Sequence, residues 1–267
     1  GIGYAVFRIV EPRVGSLSAM IAAVVVPVIW WLFIAGAIAE GLHSIIPLGI
    51  EAVESRKFGG FMLAILLGIV AIGCSLPIGI LLALGRQSNL VVLKAICVGF
   101  IEFIRGVPLI TLLFVASLLL NLFLPPGTNF DIILRVMIMM TLFSAAYMAE
   151  VIRGGLAALP KGQYEAADSL GLDYAQAMRL IILPQALKIS IPGIVNTFIG
   201  LFKDTTLVII IGLFDILGIA NAMVSNPDWL GLSSETYLVV ALFFFAVCFS
   251  MSRYSMHLER KLDTTNR

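Results

Sequence analysis

Long apolar runs dominate this chain, and their length is the property that most restricts its fold. A transmembrane helix needs roughly 20 apolar residues, and about six runs are long enough: residues 18–39, 60–84, 107–124, 132–152, 189–214 and 237–252. Hydrophobic residues make up 60% of the 267 positions and charged residues only 12%, a balance that soluble domains do not have. The sequence therefore predicts an all-α, polytopic membrane protein with about six transmembrane helices.

The basic residues predict the orientation of these helices. If the chain starts on the inner side, the outer loops receive only Arg56 and Lys57. Cytoplasmic loops are normally rich in Lys and Arg, so we expect a multi-pass plasma-membrane protein with a cytoplasmic C-terminus. The chain begins with Gly1 rather than Met, which leaves room for a preceding segment. The basic residues assigned to the inner side are Arg8, Arg13, Arg86, Lys94, Arg153, Lys161, Arg179, Lys188, Arg253, Arg260, Lys261 and Arg267.

One apolar stretch is too long for a single crossing. Residues 91–124 would form a helix of about 50 Å, whereas the hydrocarbon core of a bilayer is about 30 Å thick. Proline disfavours helix at the residue before it, so the chain should break at Gly106 and Pro108. We expect a shallow helix over 91–105 on the cytoplasmic side, followed by the crossing over 107–124.

A polar stretch, residues 160–184, interrupts the apolar sequence at the predicted cytoplasmic level. Gly171 is suited to the left-handed position that ends a helix. Asp173 and Gln176 have the spacing of a capping box, which starts a second helix, and Pro184 should interrupt that helix. The stretch therefore predicts two short helices at an angle, projecting from the membrane.

The spacing of seven residues in this stretch resembles the EAA motif of the membrane subunits of ABC importers: Glu165, Ala166, Ala167, Gly171, Ile181, Leu183 and Pro184. Other segments look like polar amino-acid permeases: residues 105–109, 144–155, 160–164, 183–187 and 203–205. Residues 101–108 and 212–218 are most similar to the general L-amino-acid permease branch. The resemblance covers roughly residues 59–258. It implies a type I ABC importer permease fold with one extra N-terminal helix.

The resemblance also implies a function and a set of partners. The chain would be a transmembrane permease subunit of an ATP-driven importer for polar L-amino acids, located in the bacterial inner membrane and working by alternating access. A separate ATPase would dock on the EAA loop and hold ATP and Mg, and this chain would bind no cofactor and be no enzyme. Consistent with this, the sequence has no phosphate-binding loop with its Gly-rich Lys-Ser/Thr pattern. Residues expected in the contact with the ATPase are Glu165, Ala166, Ala167, Gly171, Leu172, Ile181 and Pro184.

We expect further partners and a simple domain organisation. A second permease subunit, paralogous rather than identical, and a periplasmic solute-binding protein should complete the importer, with the amino acid and the lipid bilayer as the remaining partners and no nucleic acid. Residues 1–58 would form a lead-in, the extra helix and an outer loop. Residues 59–258 would form the transmembrane domain with its coupling element at 160–184, and 259–267 a cytoplasmic tail.

Two charged residues fall deep inside an apolar run. Lys203 and Asp204 lie about 15 residues after Ile189, and each costs roughly 2.5–3.5 kcal/mol at the centre of a membrane helix. They should therefore face protein or water rather than lipid. Together with the hydroxyls of Thr205 and Thr206 they form a candidate gate or substrate contact, and a buried structural ion network is the alternative.

Two acid–base pairs have helical spacing near the predicted inner surface. Glu102 and Arg105, like Glu150 and Arg153, are three residues apart and can meet on one helix face. Structural salt bridges, or contacts to the ATPase and the coupling element, are favoured over substrate binding.

One turn deeper than Glu150, Tyr147 and Met148 are candidates for the translocation pathway. Core packing is a nearly equal alternative for both. The cysteines are far apart and the two histidines are isolated, so the sequence predicts no metal site.

Other function classes explain less of the sequence. An ion-coupled secondary amino-acid transporter would use Lys203, Asp204 and Asp215 as coupling groups, but such transporters usually show internal repeats. An ABC importer permease for another small polar solute also stays open. An intramembrane enzyme would need a catalytic constellation at membrane depth, and none is visible.

Overall fold

A computed structural model of the protein describes residues 54–119 and 131–262, together with the single residue Val26. The predicted first span at 18–39 therefore lies outside the described residues, as does most of the predicted 1–58 segment. From Glu54 onward the chain forms one compact unit. The regular structure of the described ranges is helical, apart from one isolated bridge between Gly60 and Asp215.

The α-helices of the described ranges are α1 Gly60–Gln87, α2 Val91–Gly106, α3 Leu109–Phe114, α4 Ile132–Ala157, α5 Lys161–Ser169, α6 Tyr174–Ala177, α7 Leu183–Asp204, α8 Ile216–Val224 and α9 Ser233–Leu262. Two π-helical segments follow α3 and α6, at Val115–Leu119 and Met178–Ile182. Short 3-10 helices occupy Ser55–Lys57, Thr205–Ile211 and Pro227–Trp229.

Four helical runs in the described ranges are long and apolar enough to cross a membrane: α1, α4, α9 and the run Tyr174–Ile211. The pair α2 and α3 adds a fifth candidate span, bent by 103° at its break. These runs confirm the predicted all-helical, polytopic fold. They also confirm the predicted break, because α2 ends at Gly106 and Pro108 precedes the first residue of α3.

Pro184 lies in the first turn of the next α-helix, as predicted, but the helical run does not break there. The second helix of the coupling element, α6, continues through the π-helical segment directly into α7, so residues 174–204 form one uninterrupted helical run. Pro184 is the second residue of α7, where the wider π turn before it accommodates the missing N–H. The side-chain amide of Gln185 donates to the carbonyl of Ile181 at 3.0 Å and supports the backbone there.

The far end of this run also differs from the predicted span 189–214. The α-helix ends at Asp204 and tightens into the 3-10 helix Thr205–Ile211. Gly212 then stops it, with a φ of 80° that glycine adopts without strain. Residues 221–236 contain the end of α8, a 3-10 turn and the start of α9. The last helix, α9, runs on to Leu262, past the proposed boundary at 258.

The core is built around α4. In its apolar window 61% of the residues are buried, against 6% for α9, so α4 is central and α9 peripheral. One cluster of buried side chains surrounds the first half of α4, including Val136 and Met140, and a second surrounds its last turns. The last turns approach α7 closely, since a Cβ on Gly155 would lie 2.0 Å from Ser190 Oγ.

Candidate functional site

The first helix of the coupling element, α5, ends in the predicted left-handed turn. Gly171 has a φ of 70°. Its N–H donates to Asp168 O at 2.9 Å, and the N–H of Leu172 donates to Ala167 O at 3.3 Å. These are the two hydrogen bonds of a Schellman motif. The local prediction for Gly171 is confirmed.

The second helix starts at the predicted capping box. A carboxylate oxygen of Asp173 accepts from Gln176 N at 2.7 Å, and the side-chain oxygen of Gln176 accepts from Asp173 N at 3.2 Å. Each side chain thus satisfies a backbone donor at the start of α6. Between the two helices the chain turns within a few residues whose backbone groups are hydrogen-bonded, which makes the element compact.

The inner side of the coupling element is anchored to the bundle. Ala167 is completely buried, and Met178 and Ile182 are buried in the cluster around the end of α4. Gln185 donates to Gln163 Oε1 at 2.9 Å, joining the start of α7 to α5. The burial of Ala167 corrects one expectation, because its small side chain serves packing within the subunit and not the approach of a partner.

Tyr164 is part of this anchor. Its hydroxyl donates to Leu156 O at 3.5 Å, a long hydrogen bond. Burial, and secondarily the charge of a neighbouring Tyr174, raise the pKa of Tyr164 above its usual value of 10.0. The phenol is therefore neutral near pH 7 and remains a donor.

The outer side of the coupling element is exposed and mixed in character. Glu165 and Ala166 are exposed beside three large apolar side chains. Leu170, Tyr174 and Leu180 are 72%, 62% and 63% exposed. Sequence reasoning missed these three, although their position between motif residues was a signal. Of the other predicted contact residues, Pro184 is exposed, whereas Leu172 and Ile181 are half-buried.

A charged network lies near the C-terminal ends of α1, α2 and α4. Both predicted pairs are present: Arg153 Nε lies 3.0 Å from Glu150 Oε2, and Arg105 lies 4.0 Å from Glu102. Arg86 joins them, with one guanidinium nitrogen 2.6 Å from Glu150 and 2.9 Å from Glu102. Arg105 also lies 3.8 Å from Glu150. Sequence reasoning placed Arg86 on the inner side without assigning it to this network.

Glu150 is the centre of the network. Three guanidinium groups from three helices converge on it, and its side chain is only 16% exposed. The network carries three positive and two negative charges, so one positive charge remains in excess. This arrangement holds α2 against α1 and α4 just before the bend at residue 107.

The two pathway candidates on α4 point in different directions. Tyr147 is 37% exposed, packs on Phe143 at 4.8 Å between ring centroids, and lies under the Arg105 guanidinium at 5.6 Å. Met148 is completely buried, and a Cβ on Gly79 would lie 2.7 Å from it. For Met148 the structure therefore shows the core-packing alternative.

The candidate gate lies where α7 changes into a 3-10 helix. Lys203 is exposed on the subunit and Asp204 is half-buried. Within the described ranges no salt bridge is formed by either residue. Thr205 and Thr206 donate their hydroxyls to the carbonyls of Phe202 and Lys203, at 2.8 and 2.9 Å. Their oxygens can still accept a hydrogen bond.

Asp215, the third coupling group of the ion-driven alternative, has a structural position. It is completely buried, and its Oδ1 accepts from Gly218 N at 2.9 Å at the start of α8. This is the geometry of an N-cap residue. Among the described residues, no group of three His, Cys, Asp or Glu side chains is placed to hold a metal ion.

Residues 75–264 match the family described as the binding-protein-dependent transport system inner membrane component. The chain belongs to this family. The bent α2–α3 pair and the compact coupling element are therefore features of a permease of the class that the sequence resembles.

Named relatives support this assignment. The chain is 62% identical over 262 residues to BztC of Rhodobacter capsulatus, a glutamate/glutamine/aspartate/asparagine transport system permease protein. It is 49% identical over 253 residues to YhdY of Escherichia coli, an inner membrane amino-acid ABC transporter permease protein. These matches cover 98% and 95% of this chain but only 60% and 66% of the relatives, so the chain spans less than two thirds of their length.

Solved structures show the same fold. The permease chain of a crystal structure of an amino acid ABC transporter with histidines matches with a TM-score of 0.67 and 32% identity, over 76% of this chain and 92% of that one. The inward-facing MetNI methionine ABC transporter matches with a TM-score of 0.57 over 74% of this chain and 91% of that chain. At 19% identity the latter supports the fold alone. The predicted ABC importer permease fold is confirmed.

Proposed function

We propose that this chain is the membrane-spanning permease subunit of an ATP-driven importer that moves polar L-amino acids into the cell. The observation that carries the proposal is the construction of the coupling element. Its inner side is locked to the bundle, its outer side is exposed, and its second helix is continuous with a membrane-spanning helix. Such an element can transmit the movement of a bound partner to the membrane-spanning helices.

A separate ATPase would bind the outer side of the coupling element. Leu170, Tyr174 and Leu180 offer exposed apolar area, and Glu165 offers a charge at the edge of it. Tyr is enriched among the few residues that dominate binding energy in protein interfaces, and burial of the two leucines would remove further apolar area from water. ATP and Mg would be held by that partner, because this sequence has no phosphate-binding loop.

Movement of the coupling element would reach the candidate gate through one helical run. The run begins at Tyr174 and ends at Asp204, next to Lys203 and the two threonines. Tyr147 lies beside the pathway on α4. Rocking of the two permease subunits would expose a site between them to one side of the membrane and then to the other, with no covalent chemistry on the substrate.

The remaining partners follow from the same proposal. A solute-binding protein would deliver the amino acid, and a second permease subunit, paralogous rather than identical, would complete the pathway. The inner-side excess of basic residues supports a cytoplasmic coupling element and C-terminus in a bacterial inner membrane. The name of BztC, which includes glutamate, glutamine, aspartate and asparagine, supports polar amino acids as the substrate class.

Transport by the purified complex tests this proposal. The permease would be isolated with its partner subunits and reconstituted in liposomes, with the binding protein on the outer side and ATP inside. We expect accumulation of labelled glutamate or glutamine that requires hydrolysable ATP and is unaffected by a proton ionophore. Accumulation that persists without ATP and stops with the ionophore would instead establish an ion-coupled transporter.

A further inference from the structure

A partly polar seam lies between the middle of α7 and the last turns of α9. On α7, Pro192, Asn196 and Ile199 have the spacing of one helix face, and on α9, Ser252, Ser255 and Glu259 have the same spacing. The two sets face each other across a cleft of about 210 Å³. Polar side chains in membrane-spanning helices normally face protein or a water-filled cavity, so this seam requires an explanation beyond packing.

The polar lining of the cleft consists of one carboxylate, two hydroxyls and one amide. Ser255 is 6% exposed and donates its hydroxyl to Glu259 Oε1 at 2.8 Å. This bond leaves the second carboxylate oxygen of Glu259 available. Asn196 and Ser252 add an amide oxygen and a hydroxyl oxygen to the lining. No basic residue lines the cleft, and within the described residues no Lys or Arg forms a salt bridge with Glu259.

We propose that this cleft is a binding site for a primary ammonium group. An ammonium ion has three N–H donors and no acceptor, which matches a carboxylate oxygen flanked by amide and hydroxyl oxygens. Hydrogen bonds between charged groups are about twice as strong as neutral ones. A cleft of about 210 Å³ is smaller than the 300–1,000 Å³ of typical drug-sized sites, so the ligand enters with a small head and not as a whole large molecule.

Two sources can supply this ammonium group. The cleft lies in the last turns of α9, close to Arg260 and Lys261 in sequence, where our topology places the inner headgroups. There the ethanolamine headgroup of an inner-leaflet lipid is one source. The face of α7 that lines the cleft continues to Lys203, about one turn beyond Ile199, so an amino acid leaving the gate is the other source. The second source rests on the proposed transport function, whereas the first does not.

Lipid retention tests the first source. The complete complex would be purified after exposure to equal amounts of phosphatidylethanolamine and phosphatidylcholine, whose quaternary ammonium cannot donate an N–H. The retained lipids would then be measured by mass spectrometry. We expect preferential retention of phosphatidylethanolamine, reduced about tenfold or more by Glu259→Gln, as for the loss of one charge-assisted hydrogen bond. Glu235→Gln is the matched control, because Glu235 lies in the first turn of the same helix, away from the cleft.

ATP-driven uptake in liposomes without phosphatidylethanolamine tests the second source. If the amino acid uses the cleft, Glu259→Gln changes the uptake rate about tenfold, and Glu235→Gln does not. Ser252→Leu fills the cleft and keeps the Glu259 carboxylate. It should lower lipid retention or uptake in the same assay in which Glu259→Gln does. Agreement of the two variants would show that the loss does not come from misfolding of Glu259→Gln. Unchanged lipid retention together with unchanged uptake in both variants overturns the proposal. Absence of uptake by the unmodified complex would count against the transport function. In that case the lipid-retention result alone decides whether the cleft binds an ammonium group.

Discussion

The coupling element and the charged network lie at the same end of the molecule but are built in opposite ways. The coupling element is local: the hydrogen bonds that shape its turn join residues within a few positions of one another, from Ala167 to Gln176. The network is assembled from three helices, and its members Arg86 and Glu150 are 64 positions apart. One region is specified by neighbouring residues and the other only by the complete fold.

This difference predicts different responses to substitution. A change in the coupling element should alter the shape of one projecting turn and leave the bundle intact. A change in the network should loosen the packing of α2 on α1 and α4, because its ion pairs join these three helices. Four substitutions, taken from the largest expected effect to the smallest, test whether the two regions are separable in this way.

Replacement of Glu150 by Gln should have the largest effect on stability. It leaves three arginines without their shared carboxylate, and breaking a buried ion pair costs about 3–5 kcal/mol. Partial exposure of Arg86 and Arg153 reduces this to about 2–3 kcal/mol. Detergent-denaturation titrations of the purified complex would measure the change in unfolding free energy. The control is Glu54→Gln, whose side chain is 76% exposed at 3.8 Å from Lys57 and should contribute almost nothing. Equal effects of the two variants would show that the network does not hold the helices.

Replacement of Gly171 by Val should disable the coupling element while sparing the bundle. A side chain in the left-handed conformation costs about 1–2 kcal/mol, and a β-branched one falls at the upper end. We expect loss of ATP-driven uptake with little change in the unfolding of the bundle. Gly162→Ala is the matched control, because Gly162 lies in the first turn of α5 and an added Cβ meets nothing within 4 Å. A bundle destabilised as much by Gly171→Val as by Glu150→Gln would mean that the two regions are not separable.

Replacement of Asp173 by Ala removes one half of the capping box and should have a smaller effect. Loss of an N-cap side chain costs about 1 kcal/mol. Hydrogen exchange at the amides of residues 175–177 should become about fivefold faster, and uptake should fall in part. Asp168→Ala serves for comparison, since the Asp168 side chain caps no helix. Similar exchange in both variants would show that the capping box contributes nothing to α6.

Replacement of Tyr164 by Phe should have the smallest effect, about 0.5 kcal/mol or less, because its hydrogen bond is long. The raised pKa of Tyr164 gives this contribution a pH dependence. The contribution is fully present below the pKa of the unfolded chain, 10.0, and is lost as the pH rises through the higher pKa of the folded state. Unfolding titrations between pH 8 and 11 should show a steeper decline above pH 10 for the unmodified protein than for Tyr164→Phe. Parallel pH curves for the two proteins would show that Tyr164 does not help to anchor the coupling element.

The same distinction between local and assembled structure explains what could be predicted from the sequence. The bend at Gly106 and Pro108, the left-handed turn at Gly171 and the capping box at Asp173 all depend on adjacent residues, and all three predictions are confirmed. Length and apolarity were enough to predict the spanning helices. The pairs on α2 and α4 followed from helical spacing alone.

Other features depended on contacts that sequence spacing does not contain. Arg86 enters the network because α1 ends beside α2 and α4. Ala167 is buried where α5 packs against the π-helical segment Met178–Ile182. Pro184 was expected to break the helix, but the π-helical segment before it absorbs the missing hydrogen bond. Met148 faces Gly79 rather than the pathway because α1 and α4 pack closely there.

The uninterrupted run from Tyr174 to Asp204 has a mechanical consequence. A helix of this length is about 45 Å long and can act as a lever. If it pivots at Ser190, where it contacts Gly155, its two arms are about equal in length, and a tilt of about 10° moves the distant end by roughly 4 Å. The contact between α4 and α7 at this glycine therefore sets how far the distant end of the helix moves for a given tilt. A bulkier residue there would shift the pivot point.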